Sequence, residues 1–292
     1  MSEKSPKIAI QIVTYNAPGE LETCLDSLSW VSSRSDVSVF IYDNNSRDSK
    51  TRDILRSTSF KVTLGDQNQG FSRSHNFLCD ITTKDHHYIM ILNPDTTLSE
   101  ESFNKLLTFL IKNSEYSCVA PQILNGDEIE LSCFREVTPL MFCQDIIRST
   151  LGMGEHLVYT PASEMEVFGV SGAAVLYRVN AISKLQLFDP NFFMYLEDYD
   201  QALRFNNHEL KYYYLPEAQV THTKNASTSG EPTIRGKMMR IQSLNYLVSK
   251  HYPGIKAKIV KTFLIAAVFL SLRHGSKYRA EVIENIKLLV RR

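Results

Sequence analysis

Three carboxylates, Glu197, Asp198 and Asp200, stand within four positions, directly behind the apolar run Phe192-Phe193-Met194-Tyr195-Leu196 and just ahead of Arg204. Acids are almost never fully buried without a partner, so such a cluster beside aromatic side chains has to have a cause. A helix opening at Asp198 supplies one. Glu197 and Asp198 then sit at its first turn, where the helix dipole favours negative charge. Asp200 and Arg204 fall four apart on one face, the spacing of a stabilising pair. Carboxylates held this way can also take a proton from a hydroxyl in a transfer reaction. These residues alone fit a capped helix and a general base equally well.

Other polar residues gather where strands should end: Thr14-Tyr15-Asn16, Asp43-Asn44-Asn45 and Asn93-Pro94-Asp95. Apolar and β-branched runs predict strands over 7–14, 37–43, 61–64, 87–92 and 118–121. Helical spacing predicts helices over 21–28, 70–81 and 100–113 between them. Strands alternating with helices imply an α/β fold with right-handed crossovers and a mostly parallel, Rossmann-like sheet flanked by helices. Ligands of such sheets bind beyond the carboxyl ends of the strands. One polar cluster there is a turn; three in succession outline a binding rim. Farther on, 122–166 reads as loops with one or two short helices around a Gly126-Asp127 turn. A strand over 167–177, a helix over 198–206 and strands over 211–215 and 219–222 follow, and from about 231 the pattern is helical to the end.

The chain has 292 residues, 43% of them hydrophobic and 22% charged, the composition of a folded protein with a sizeable core. Lys plus Arg equals Asp plus Glu at 32 each, which gives no sign of a nucleic-acid partner. Cys24, Cys79, Cys118, Cys133 and Cys143 are dispersed without a CxxC pair, as expected of reduced, core-filling thiols in a cytoplasmic protein. The polar start runs straight into a strand, so no secretory signal is expected. The longest apolar stretch, 263–272, is far shorter than the roughly 18 to 20 residues a membrane span requires. Between Lys250 and Arg292 basic residues outnumber the acidic Glu281 and Glu284. That basic amphipathic segment reads either as a helix on an anionic membrane surface or as a hairpin packed on the core or a second subunit.

In order along the chain come Ile12-Val13-Thr14-Tyr15-Asn16, Asp43-Asn44-Asn45-Ser46, Asn68-Gln69-Gly70-Phe71 through Asn76, and Leu92-Asn93-Pro94-Asp95-Thr96. Val170-Ser171-Gly172-Ala173 and Phe192 to Asp200 with Arg204 follow, then His222 and Ser227. Over residues 7–230 this series resembles the family-2 inverting glycosyltransferases of GT-A fold, in the rhamnosyltransferase-like branch. The resemblance implies a GT-A catalytic domain over 1–230, with a nucleotide-sugar half to about 121 and an acceptor half over 122–230. A helical extension would occupy 231–292.

By that resemblance Asp43 meets the nucleobase, as an acceptor-only carboxylate facing an imino N–H. Thr14, Tyr15, Asn16 and Asn45 border base and ribose. Asn68, Gly70, Phe71 and Asn76 lie where a helix start offers amides to phosphate, with Asn93 and Gly172 near the donor sugar. Asn93-Pro94-Asp95 takes the place of an Asp-x-Asp motif, so Asp95 would bind Mg²⁺ or Mn²⁺, with a neutral His222 compensating for Asn93. Asp198 would be the general base and Glu197 its helper, with Asp200 and Arg204 a structural pair. The resemblance further implies transfer of L-rhamnose from dTDP-rhamnose to a polysaccharide or lipid-linked saccharide, by a cytoplasmic protein at the inner face of the plasma membrane. A UDP-hexose or UDP-N-acetylhexosamine donor, or a silent nucleotide-sugar-binding protein, are the alternatives. The intact Asp198 speaks against silence.

Overall fold

The computed structural model describes residues 6–150, 157–183, 185–223, 234–252 and 254–271. The first half alternates strands and helices: β1 (Ile8–Thr14), α1 (Pro18–Ser27), β2 (Val37–Asp43), α2 (Ser49–Ser57), β3 (Lys61–Leu64), α3 (Gly70–Thr82) and β4 (Tyr88–Leu92). Next come β5 (Thr96–Leu98), α4 (Glu100–Lys112), β6 (Tyr116–Asn125), β7 (Glu128–Ile129), β8 (Cys133–Phe134) and α5 (Pro139–Thr150). The second half holds β9 (Val158–Tyr159), β10 (Met165–Val167), β11 (Gly169–Val170), β12 (Ala174–Arg178), α6 (Val179–Ile182) and α7 (Glu197–Asn206). It closes with β13 (Lys211–His222), α8 (Ile234–His251) and α9 (Ile255–Ser271).

The main sheet has the order β10-β13-β6-β12-β4-β1-β2-β3. β3, β2, β1 and β4 run parallel, as do β6 and β13, while β12 lies antiparallel between β4 and β6. Every residue of β1 and β4 is buried, which is why both read as continuous apolar runs rather than alternating ones. Successive side chains leave opposite faces of the sheet. Ile8, Ile10 and Ile12 pack with Leu21 and Leu25 of α1 and Phe103 and Leu106 of α4. Ala9 and Val13 meet Leu78 of α3 in the other layer, which also holds Phe142 of α5, Tyr199 and Phe205 of α7 and Leu247 of α8. Gln11 is fully buried and keeps its amide satisfied by donating from Nε2 to Thr82 Oγ1 at 2.7 Å.

Several elements differ from the sequence expectation. Helix α2 is an additional element whose sequence signal is its cap: Asp48 accepts from Thr51 N–H at 2.7 Å. The two strands expected at 211–215 and 219–222 are one strand, β13, whose register on β6 shifts between Leu215 and Gln219. Pro216 lies inside that shift and has no N–H to give the ladder. Region 122–166 carries the end of β6, β7, α5, the start of β10, and β8 and β9, which form a second small sheet with β11 in the order β11-β8-β9. The single strand expected over 167–177 is three short ones split between the two sheets. Gly169 explains part of the split, since a Cβ there would lie 2.4 Å from Ala202 Cβ: α7 approaches this backbone too closely for any side chain.

Helices α8 and α9 are held to the core by Leu247, Val248, Val260 and Leu264, all buried, and α9 lies along α5. Among the described residues no helix is long and apolar enough to cross a membrane. All five cysteines are buried and free. Ser227 and the basic residues beyond 271 lie outside the described residues.

Candidate active site

The acidic cluster begins on strained backbone. Tyr195 and Leu196 have φ of 71° and 64°, two consecutive non-glycine residues in the left-handed region. Such residues cost about 1–3 kcal/mol each and persist where the surroundings over-determine them. They swing the chain into α7, so that the helix begins at Glu197, one residue earlier than expected. No side chain caps the helix from Leu196. Asp198 does that work from within: its Oδ1 accepts from Tyr199 N–H at 2.8 Å, and its Oδ2 accepts from Gly172 N–H at 3.2 Å. Each oxygen of a carboxylate has a second lone pair, so a hydroxyl can still donate to half-buried Asp198. Capping and proton acceptance are thus available to one side chain.

Burial raises the Asp198 carboxyl above its ordinary value, and the N–H donors from Gly172 and Tyr199 oppose that rise. Buried Glu197 is raised by burial and then by the neighbouring Asp198 charge, and its Oε2 has no hydrogen-bond partner. Two adjacent acids in a dry site do not ionise together easily. Asp200, fully buried, behaves in the opposite way. Arg204 Nε lies 2.7 Å from Oδ2, while Lys250 Nζ and His251 Nε2 lie 2.6 and 2.7 Å from Oδ1. Burial alone would raise it, but the His251 hydrogen bond and the Arg204 and Lys250 charges outweigh burial and hold it at about 2.

The start of α3 is occupied differently from the phosphate cradle that the sequence pattern implies. Gly70 N–H donates to Asn68 Oδ1 at 3.0 Å and Phe71 N–H to Phe193 O at 2.8 Å, so these two amides are already engaged. Gly70 has φ 85°, and a Cβ on it would stand 2.3 Å from Phe193 O. Gly70 and Phe71 therefore dock the acidic loop. Asn76 is a second clip: its Nδ2 donates to Phe188 O at 2.7 Å and its Oδ1 accepts from Phe188 N–H at 3.1 Å. Arg73 donates from Nε to Pro190 O at 2.9 Å and lines a cleft of about 370 Å³ with Gln69, Asn191 and Phe193.

At the strand ends, buried Asp43 accepts from Ser46 N–H with both oxygens, at 3.2 and 3.1 Å. Thr14 Oγ1 is buried with no partner, and Tyr15 is exposed. Asn16 (φ 49°) accepts from Arg47 N–H at 2.7 Å, and Asn45 (φ 64°) donates to Asp66 O at 2.8 Å. Asn44, inside the Asp43-Asn44-Asn45-Ser46 motif, has a role that the motif does not announce. Its Oδ1 accepts from Gln69 N–H and Ser74 Oγ, at 3.2 and 2.8 Å, so it ties the rim of β2 to α3. The doubled asparagine after a strand was the available signal.

Asp95 and His222 do come together. His222 Nε2 lies 3.1 Å from Asp95 Oδ1, an ion-pair contact without hydrogen-bond alignment, and Nδ1 lies 3.0 Å from Glu130 Oε2. With no cation bound, burial would lower the His222 pKa, but Asp95 and Glu130 outweigh burial and raise it to about 9, so a cation held by Nε2 would have to displace a proton. Glu130 carried no motif in the sequence and was missed. Among the described residues no group of three or more His, Cys, Asp and Glu is arranged to hold a metal. The residues nonetheless fit a hard cation that takes its remaining ligands from elsewhere. Asp95 Oδ1 and Asn93 Oδ1 are buried without hydrogen bonds. The 3.1 Å from Nε2 to Oδ1 is close to the roughly 3.0 Å edge of an octahedron with ligands about 2.1 Å from the ion.

Among solved structures, the chain matches that of GalNAc-T7 with UDP, GalNAc and Mn²⁺, at a TM-score of 0.63 and 14% identity. The match covers 98% of this chain and 55% of that one, so this chain spans about half the length of that protein. The class is thereby defined: this is the GT-A fold of glycosyltransferases. The profile described as "Glycosyl transferase family 2" matches residues 9–185, and the chain belongs to that family and is a glycosyltransferase. It is also 25% identical, over 272 residues and 86% of each chain, to the N-acetylglucosaminyl-diphospho-decaprenol L-rhamnosyltransferase of Mycobacterium tuberculosis, in strains CDC 1551 / Oshkosh and ATCC 25618 / H37Rv.

Proposed function

We propose that this chain transfers L-rhamnose from dTDP-rhamnose to a hydroxyl of a lipid-linked saccharide, in one displacement that inverts the anomeric carbon. The observation that carries this reading is the half-buried Asp198, gripped by Gly172 and Tyr199 N–H groups with lone pairs left to accept. The acceptor hydroxyl gives its proton to Asp198 as its oxygen bonds to the anomeric carbon, and the bond from that carbon to the nucleoside diphosphate breaks. Glu197, kept neutral by its dry position, leaves Asp198 as the anion of the pair. Asp95 and His222 would hold Mg²⁺ or Mn²⁺, which offsets charge on the leaving diphosphate when bound. Thr14, Asn16, Asp43 and Asn45 would receive the nucleoside, and the domain division at about residues 121 and 230 is part of the same proposal.

The mycobacterial relative's name, which joins a rhamnosyl donor to a diphospholipid acceptor, supports the choice of sugar and acceptor. A lipid acceptor also suits a protein at the inner face of the plasma membrane. A panel of dTDP- and UDP-sugars tested by thermal shift with Mn²⁺ decides the donor, because a ligand that binds the native state raises Tm. A shift with UDP-sugars and none with dTDP-rhamnose would replace rhamnose in the proposal.

A further inference from the structure

We propose that α8 is a positioning element for the active site, acting through Ser243, Lys250 and His251 on the segment that carries Asp198; this rests on the reading of Asp198 as general base. Residues 189–196 lack regular structure and include the two left-handed positions before α7. Strained backbone of this kind needs holding from outside. One side is held by α3, through Phe71 N–H to Phe193 O and Arg73 Nε to Pro190 O.

The other side is held by α8 at three successive points. Tyr246 OH donates to Asp189 Oδ2 at 3.0 Å, where the segment begins. Ser243 Oγ donates to Met194 O at 2.8 Å, in its middle. Lys250 Nζ forks between Asp189 Oδ2 at 2.7 Å and Asp200 Oδ1 at 2.6 Å, joining the start of the segment to the helix turn behind the base. His251 Nε2 adds its 2.7 Å contact to the same Asp200 oxygen. Residues 243, 246 and 250 follow i, i+3, i+7, so a single face of α8 meets the whole segment. Phe192, fully buried, sets its ring edge-on to Tyr246 with centroids 5.0 Å apart.

Plain stability does not require this pattern, because Leu247 and Val248 already anchor α8 in the core. The polar contacts converge instead on the stretch with two consecutive left-handed non-glycine residues, the one that presents Glu197 and Asp198.

The Gly172 amide, which donates to Asp198 Oδ2, reports the position of the base directly. Hydrogen exchange at Gly172 is measured in Ser243→Ala, Lys250→Ala and Lys250→Arg, with the β1 and β2 core amides as internal reference. Exchange at Gly172 should quicken on the order of fivefold in Ser243→Ala and more in Lys250→Ala, with core amides unchanged and Lys250→Arg restoring protection. Transfer by Ser243→Ala should fall on the order of tenfold in kcat, with dTDP affinity unchanged. Unaltered Gly172 exchange, or equal quickening of core and Gly172 amides, overturns the proposal. Ser243→Ala isolates the effect should Lys250→Ala fail to fold. Survival of transfer in Asp198→Ala would instead sink the base assignment, a separate outcome.

Discussion

Gly172 N–H lies 3.2 Å from Asp198 Oδ2, and a Cβ built on Gly172 would stand 3.9 Å from the Asp198 Cβ. The glycine in the turn between β11 and β12 and the helix-borne acid form one unit, in which a backbone donor aims the carboxylate. Asp198→Ala should therefore lower transfer by at least about a hundredfold, the usual contribution of a placed general base, while dTDP binding survives. Steady-state rates beside calorimetric titration with dTDP check both halves. Substantial turnover by this variant would move the base elsewhere.

Gly172→Ala separates fold from function at the same point. Its new Cβ would meet the Phe71 ring at 3.6 Å, an ordinary van der Waals contact, so Tm should change little. With the donor sugar against Gly172 as proposed, the added methyl group would crowd it, and KM for the donor should rise. A lowered Tm with unchanged KM would make the glycine a purely structural choice.

Asp200 links acid stability to the site. Its folded value of about 2 lies below the ordinary 3.8. The stability it contributes is therefore fully present above the ordinary value and lost as pH falls from there through about 2. Glu197 has the opposite sign, since a raised carboxyl stabilises below its unfolded value and loses that contribution as pH rises. Asp200→Asn, which removes the anion shared by Arg204, Lys250 and His251 while Lys250 keeps Asp189, should cost on the order of 2–3 kcal/mol near neutrality. The cost should shrink as pH falls through that window. Denaturant midpoints across pH measure it, and a pH-independent difference would refute the linkage.

The parallel half of the sheet and the rim residues were legible because fully buried strands and turn clusters leave strong local patterns. Thr14, Asp43 and Asp95 sit at strand ends as their punctuation implied. What could not be read depends on distant partners. Nothing near Glu130 announces that β7 delivers it to His222, across 92 positions. The helix start at Gly70 looked open to phosphate because the carbonyl that fills it belongs to Phe193. Residues 211–215 and 219–222 looked like two strands because Pro216 interrupts the pattern, while β6 beside them carries the pairing through.

Metal use rests on Asp95 and His222 and is tested without reference to the sugar. EDTA should suppress transfer and Mg²⁺ or Mn²⁺ restore it. Asp95→Ala should weaken Mn²⁺ binding, read by electron paramagnetic resonance in the presence of dTDP. Glu130→Ala should weaken it by about tenfold or more, because a carboxylate on the far ring nitrogen orients a ligating histidine. Metal-independent transfer would return the Asp95–His222–Glu130 trio to a structural role.

Helix α9 is apolar on two sides. Ala257, Val260 and Leu264 face the core, while Ile255, Ile259 and Phe263 are exposed at 70%, 47% and 39% in a row four residues apart. Exposed Lys256 and Lys258 flank that row. An apolar stripe bordered by lysines is the pattern of a helix that lies on an anionic bilayer, and vesicle partition tests that reading. Deleting the chain from Lys256 would remove core residues as well, so point changes are the cleaner probe. Ile255→Gln with Ile259→Gln should reduce partition onto phosphatidylglycerol vesicles at least about tenfold, since each buried aliphatic side chain is worth about 1.5–3 kcal/mol. Tm should hold, because both side chains are exposed in the free protein. Lys256→Gln with Lys258→Gln should weaken partition at low salt and matter little at high salt, where surface charge is screened. Vesicle binding that ignores all four changes would assign this face to another contact, such as a second copy of the chain.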